Sequence, residues 1–97
     1  MTLEQNLVAF LDAIKQDGRI SSVHISLYVS LLREWQLQGE LKIIQVTRDE
    51  MMQSAKISAY RTYYRSMKEL QRYGYIKYIP SPNPKIKTEV CLLQKNT

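Results

Sequence analysis

The segment from Ser58 to Gly74, SAYRTYYRSMKELQRYG, constrains the fold of this chain more than any other stretch. Its apolar positions recur at helical spacing on one side of the segment, at Ala59, Tyr63, Met67 and Leu70. A serine hydroxyl accepts a hydrogen bond from the first turn of a helix, and glycine suits the left-handed position after the last turn. We therefore predict a helix over residues 58–73, with Ser58 as its N-cap and Gly74 after its C-terminus.

The opposite side of this predicted helix is cationic. At 100° per residue, four basic side chains fall within about 60° of arc, namely Arg61, Arg65, Lys68 and Arg72. A stripe of cations without an acidic residue is typical of a helix that lies against a polyanion. Taken alone, the stripe fits a solvated helix face equally well.

The charge of the chain is concentrated around this segment. Residues 56–87 hold eight basic side chains and one acidic side chain, Glu69, whereas the rest of the 97-residue chain holds six basic and eight acidic ones. A protein with one strongly basic end favours nucleic acid or an anionic membrane surface over a neutral ligand. No apolar run approaches the roughly 20 residues of a membrane span, and the N-terminus lacks the pattern of a secretory signal. With Cys91 as the single cysteine, we expect one cytoplasmic domain without disulfides.

The N-terminal residues predict an amphipathic helix over residues 3–16, which Asp17-Gly18 ends. Its apolar stripe consists of Leu3, Leu7, Phe10, Leu11 and Ile14. This stripe fits packing on the core of the domain, and it also fits a homodimer in which residues 1–18 are the dimerisation element. The sequence leaves both alternatives open.

A second helix is expected at about residues 22–38, with an N-cap at Ser21-Ser22 and an end at Gly39. Its buried face is predicted to contain Leu27, Tyr28, Leu31, Leu32 and Trp35. His24 is the only histidine, so it is a poor metal ligand and is expected at the surface or in a helix cap.

A short strand and a short helix follow. Leu41–Val46 is β-branched and predicts a strand, and Thr47 and Glu50 have the spacing of a reciprocal capping box for a helix over residues 48–55. Lys56-Ile57 then connects this helix to the basic helix. A short capped helix, a tight turn and a longer basic helix form the helix-turn-helix pattern.

After Gly74 the spacing of the apolar residues changes from the helical period to a period of two residues. Tyr75–Ile79 and Lys85–Leu93 predict two strands of a hairpin, with Ile86, Thr88, Val90 and Leu92 toward the core. The connecting loop, Pro80-Ser81-Pro82-Asn83-Pro84, contains three prolines and is expected at an exposed tip. Residues 94–97 are expected to fray. The predicted fold class is mainly α with a small β-hairpin.

The order helix, helix, strand, helix, basic helix, two-stranded hairpin resembles that of the winged helix-turn-helix family. The resemblance covers Val46 to Leu92 and is carried by the runs TRDE at 47–50, KIS at 56–58 and KELQRYGYI at 68–76. The chain resembles the small winged-helix proteins of bacterial mobile elements and the N-terminal domains of replication initiators. The first 40 residues carry little of this likeness.

The resemblance implies binding of double-stranded DNA, with residues 58–73 as the recognition helix in the major groove and residues 80–87 as the wing on the backbone. By position it implicates Ser58, Tyr60, Arg61, Thr62, Tyr64, Arg65 and Lys68, with Lys85 and Lys87 in the wing. The wing tip has no arginine, so phosphate contact is expected there rather than insertion into the minor groove.

The basic and tyrosine side chains on and beside the predicted basic helix are candidates for different kinds of DNA contact. Arg61 and Arg65, near the helix start, are candidates for base contact, since arginine bridges guanine O6 and N7. Lys68 and Arg72 suit phosphate contact, as does Lys56 in the turn. Tyr60 and Tyr64, at the border of the exposed face, fit either DNA contact or packing at the edge of the core.

Catalysis is not expected, because a single histidine does not supply acid–base groups and the sequence has no nucleotide-binding or paired-carboxylate motif. We expect no cofactor, metal or small-molecule substrate. Two functions remain: a sequence-specific DNA-binding protein, either a transcriptional regulator or a mobile-element accessory factor, and a winged-helix module for protein interaction or replication initiation.

Overall fold

The computed structural model describes residues 2–83 and 87–93. This part of the chain is mostly helical, with a small antiparallel sheet. Its elements are α1 (Leu3–Ile14), α2 (Ser22–Leu37), β1 (Ile44–Val46), α3 (Arg48–Ala55), α4 (Tyr60–Arg72), β2 (Ile76–Ile79) and β3 (Thr88–Leu92). The predictions for Lys85, Ile86 and residues 94–97 lie outside the described residues.

Helix α1 packs on the core of the domain. The Thr2 hydroxyl accepts from the Gln5 N–H, while the Gln5 side chain accepts from the Thr2 N–H, so a capping box begins the helix. Phe10 is buried and stacks on Tyr28 of α2 with ring centroids 3.9 Å apart. Of the predicted apolar stripe, Leu11 is exposed, as is its neighbour Val8.

Helix α2 forms the centre of the core. Leu27, Leu31 and Leu32 are buried, as predicted, whereas Trp35 is only partly buried and packs at the edge. His24 caps the helix, because its Nδ1 accepts a hydrogen bond from the Ser21 N–H at 2.9 Å. It is buried rather than at the surface.

The predicted hairpin of β2 and β3 is present, and the predicted first strand, β1, joins it to form a three-stranded sheet. β3 lies in the centre and pairs antiparallel with β2 on one side and with β1 on the other. β1 is shorter than the predicted strand Leu41–Val46. Gly39 and Glu40 form a turn with positive φ, and Leu41 and Ile43 are exposed before the strand begins. Pairing between β1 and β3 joins segments more than 40 residues apart, which local patterns do not encode.

Glutamine side chains cover both edges of the sheet. Gln38 accepts from the Gln45 N–H and donates to the Gln45 carbonyl, so its amide substitutes for a neighbouring strand along β1. Gln71 accepts from the Tyr78 N–H at the outer edge of β2. Unpaired edge groups recruit other strands, and these two side chains occupy such groups.

The N-termini of α3 and α4 each differ from the sequence prediction in one detail. Thr47 accepts from the Glu50 N–H as predicted, but the reciprocal bond from Glu50 is absent among the described residues. The N-cap of α4 is Ala59 rather than Ser58, and Ala59 is exposed instead of buried. Ile57 inserts into the core, which keeps the chain extended up to Ala59 and delays the helix.

Gly74 ends α4 as predicted, with φ of 88°. The Tyr75 N–H donates to the Leu70 carbonyl at 2.9 Å, and the Gly74 N–H donates to the Gln71 carbonyl at 3.0 Å. These two bonds form a Schellman motif, which requires a left-handed residue at this position. The turn directs the chain from the helix into β2.

Tyr75 ties this turn to the N-terminal part of the chain. Its hydroxyl donates to Asp17 Oδ2 at 2.7 Å, and its ring meets Phe10 edge-on at 5.5 Å. The Arg19 guanidinium donates to both Asp17 oxygens, at 2.7 and 2.9 Å. Together, Arg19 and the Tyr75 hydroxyl hold the pKa of Asp17 well below its usual range.

Gly74→Ala is expected to lower the free energy of unfolding by about 1–2 kcal/mol, because a Cβ is disfavoured in left-handed backbone. Urea unfolding of both proteins measures the difference. Gly18→Ala is the control, since its φ is not positive and an added Cβ meets nothing within 4 Å. Equal losses in both variants would contradict the argument.

Asp17→Asn is expected to destabilise the protein at pH 7 and to do so less as the pH falls. The pKa of Asp17 is lower in the folded than in the unfolded protein, so its contribution is complete above about pH 4 and is lost toward the folded pKa. Chemical unfolding at pH 7 and at about pH 2 tests this dependence. Asp12→Asn, which removes only an exposed pair with Lys15, should show little effect at either pH.

Candidate nucleic-acid interface

Helix α4 separates an apolar face from a cationic one. Tyr63, Met67 and Leu70 are buried against the rest of the domain, together with the small polar Ser66. The predicted cations Arg61, Arg65, Lys68 and Arg72 are all exposed. Burial of one face therefore determines which way the four positive charges point.

These cations surround one open depression on the surface. It is lined by Arg61, Tyr64, Arg65, Lys68, Glu69 and Arg72. Among the described residues, Arg61, Arg65 and Lys68 form no ion pair, while Arg72 lies 3.9 Å from the Glu69 carboxylate. Three charges thus remain available to a ligand.

The other predicted contact residues do not line the depression. Lys56, Ser58, Tyr60 and Lys87 are exposed, and Thr62 is partly buried. Lys56 occupies the left-handed C-cap of α3, with φ of 61°, so it projects from the turn between the two helices. Lys85 lies outside the described residues.

The N-terminus of α4 has no side-chain cap. Ala59 has no hydrogen-bonding side chain, and the Ser58 hydroxyl makes no cap to the helix. The N–H groups of the first turn therefore carry the positive end of the helix dipole without a neutralising side chain. Arg61 adds a positive charge to the same end of the helix.

Arg48 of α3 orients both tyrosines whose role the sequence left open. Its guanidinium lies 4.1 Å from the centre of the Tyr60 ring, and its Nη1 donates to the Tyr64 hydroxyl at 3.4 Å. The Tyr64 hydroxyl, and then the Asp49 carboxylate, raise the pKa of Arg48. Tyr64 packs at the edge of the core, whereas Tyr60 stays 55 % exposed.

Sequence reasoning missed Arg48 as part of this surface. The residue belongs to the run TRDE, which we interpreted only as a helix start. Its contacts join residues 12 and 16 positions apart, and no helical period links them. The contacts of the Arg48 side chain with Tyr60 and Tyr64 in the folded chain were needed to find it.

Glu69, the one acidic side chain in the depression, is held by groups from two elements. His24 of α2 lies with Nε2 at 3.0 Å from Glu69 Oε1, and the Tyr73 hydroxyl donates to Oε2 at 3.4 Å. A backbone N–H is only a donor, so the bond from Ser21 makes His24 Nδ1 an acceptor. Nε2 then carries the proton, and His24 is a neutral donor to Glu69.

Comparisons with protein-family models, curated proteins and solved structures found no match to this chain. Across residues 2–83 and 87–93, no helix has the length and apolar character to span a membrane. The same residues contain no cluster of three or more side chains suited to hold a metal ion.

We expect His24 to be in the Nε2–H tautomer at neutral pH, because Nδ1 accepts from the Ser21 backbone. Long-range ¹H–¹⁵N NMR correlations of the imidazole distinguish the two tautomers directly. Glu69→Gln should retain this tautomer, since its amide oxygen still accepts from Nε2. Observation of Nδ1–H in the unmodified protein would contradict the assignment.

Proposed function

We propose that this chain is a winged helix-turn-helix protein that binds double-stranded DNA sequence-specifically, as a transcriptional regulator or a mobile-element accessory factor. In this proposal α4 enters the major groove and the loop at residues 80–87 lies on the sugar–phosphate backbone. The order of α2, β1, α3, α4, β2 and β3 supports this assignment, as does the short connection between α3 and α4.

The observation that carries the proposal is the cationic face of α4. Arg61, Arg65 and Lys68 point outward without an ion-pair partner among the described residues, around one surface depression. Phosphates of DNA neutralise such charges and release counterions, which supplies much of the binding free energy.

The geometry suggests a division of roles within this face. Arg61 and Arg65 lie in the first half of α4, near the uncapped N-terminus, where recognition helices approach base edges. Arg72 donates to the Tyr73 hydroxyl at 3.2 Å and lies beside Glu69, so its guanidinium is held in place at the other end. A cation that is held in place suits contact with a phosphate at a defined position. Lys68 lies along α4 between Arg65 and Arg72.

Side chains around α4 extend the proposed surface. Tyr60 is exposed beside the N-terminus, with its ring held under Arg48, and is placed to donate a hydrogen bond to a phosphate. Lys56 lies in the turn before α4, and Lys87 is the last residue of the proposed wing. We propose backbone contacts for these two lysines.

Arg61→Ala and Arg65→Ala are expected to weaken binding to the cognate site more than binding to random duplex, because each good bidentate contact to guanine discriminates by about 1–3 kcal/mol. The cognate site is first selected from a random duplex pool over a salt series. Fluorescence anisotropy titrations of the selected and random duplexes then measure both affinities for each variant.

Lys68→Ala should weaken binding to both duplexes alike. It should also lower the slope of the logarithm of the binding constant against the logarithm of salt concentration by about one unit, as expected for a phosphate contact. Arg33→Ala is the matched control, since Arg33 is an exposed arginine on α2 paired with Glu34. Equal loss on both duplexes for Arg61→Ala and Arg65→Ala would contradict base readout. Failure to bind any duplex at low salt would contradict DNA binding and favour a protein-interaction module.

A further inference from the structure

The sheet has an inner face and an outer face of different character. Side chains toward the helices are buried, namely Ile44, Val46, Ile76, Tyr78 and Val90. On the outer side, large apolar side chains stay in contact with solvent: Ile43 and Ile79 are each 46 % exposed, and Leu93 is 40 % exposed. No helix of the described residues covers this side.

Six residues line one shallow groove on the outer face. They are Ile43, Lys77, Ile79, Glu89, Val90 and Cys91. The register places Lys77 opposite Cys91 and Ile79 opposite Glu89, so the two charged residues are diagonal neighbours on adjacent strands. The Cys91 thiol donates to the Lys42 carbonyl at 3.0 Å and is not a free group of the groove.

The two charges that line this groove, on Lys77 and Glu89, are opposite and unpaired. Neither Lys77 nor Glu89 forms an ion pair within residues 2–83 and 87–93. The lining of the groove is therefore neutral in a protein whose net charge is +5, while exposed Lys87 lies two residues before Glu89. Two copies of such a protein repel each other over most of their surfaces, but not at this one.

We propose that the outer face of the sheet, formed by Ile43, Lys77, Ile79, Glu89 and Leu93, binds the same face of a second copy of this chain. In a two-fold interface each contact occurs twice: if one residue of the first copy contacts a second residue of the other copy, the reverse contact forms as well. Lys77 of each copy then faces Glu89 of the other, and the isoleucines pack between these pairs. Face-to-face pairing is favoured over edge pairing, because Gln38 and Gln71 occupy the edge groups of Gln45 and Tyr78.

This face suits a second copy better than the outer side of α1 does. Val8 and Leu11 are exposed on α1, but the neighbouring Asp12 and Lys15 already pair with each other at 3.7 Å. That helix thus offers two apolar side chains and no unpaired complementary charges among these neighbours. The sheet offers both, and the interface does not depend on whether α4 binds DNA.

Sedimentation velocity from micromolar to millimolar protein tests the proposal. The unmodified chain should dimerise, and Lys77→Glu and Glu89→Lys should each weaken the dimer by about tenfold or more, because each places like charges opposite one another twice. Mixing the two variants should restore dimerisation, since every contact across the mixed pair again joins opposite charges. Only contacts between chains predict this complementation.

Thermal unfolding of each variant tests whether both charge reversals leave the monomer folded, and a cooperative transition is expected for each. Val8→Asp on α1 is the matched control and should leave the dimer unchanged. An unmodified chain that stays monomeric to millimolar concentration would overturn the proposal. So would loss of the dimer in Val8→Asp with Lys77→Glu unaffected, or variants that stay monomeric when mixed.

Discussion

Tyr75 is the residue on which the arrangement of the other elements depends. Its N–H closes the last turn of α4, its carbonyl accepts from Leu93 after β3, and its hydroxyl donates to Asp17 before α2. Its ring contacts Phe10 of α1. Because the phenol is almost fully buried, its hydroxyl needs a partner, and the Asp17 carboxylate supplies one held in turn by Arg19. Burial of its ring, the hydrogen bond of its hydroxyl and the left-handed turn at Gly74 thus all fix the position of Tyr75.

The surface of α4 depends on support from other helices. Arg48 of α3 holds Tyr60 and Tyr64, and His24 of α2 holds Glu69. Each contact restricts the rotamers of a side chain at the edge of the cationic face in the free protein. A side chain that is already ordered loses less conformational entropy on binding. The single acidic group of the depression is hydrogen-bonded by His24 and Tyr73, which fixes the position of its negative charge beside Arg72.

Much of the candidate site was predictable because its signals are local. The spacing of Tyr63, Met67 and Leu70 predicted the buried face of α4, and the opposite orientation of the cations followed from the geometry of one helix. The predictions that went wrong concern positions where tertiary packing outweighs local preference. Ser58 has the better capping side chain, but burial of Ile57 moves the start of α4 to Tyr60. Winged-helix assignment and DNA binding remain predictions.

The sequence by itself determined the helices and the polarity of α4, because helical period, capping residues and glycine act within a few residues of one another. Tertiary structure alone decided that β1 joins β3 and that Gln38 and Gln71 cover the edges of the sheet. β1 and β3 lie more than 40 residues apart in the chain, and each glutamine reaches a strand residue seven positions away that is in place only once the sheet has formed. The free energy of these contacts comes from burying surfaces that are brought together only when the whole core forms, so no local pattern encodes them.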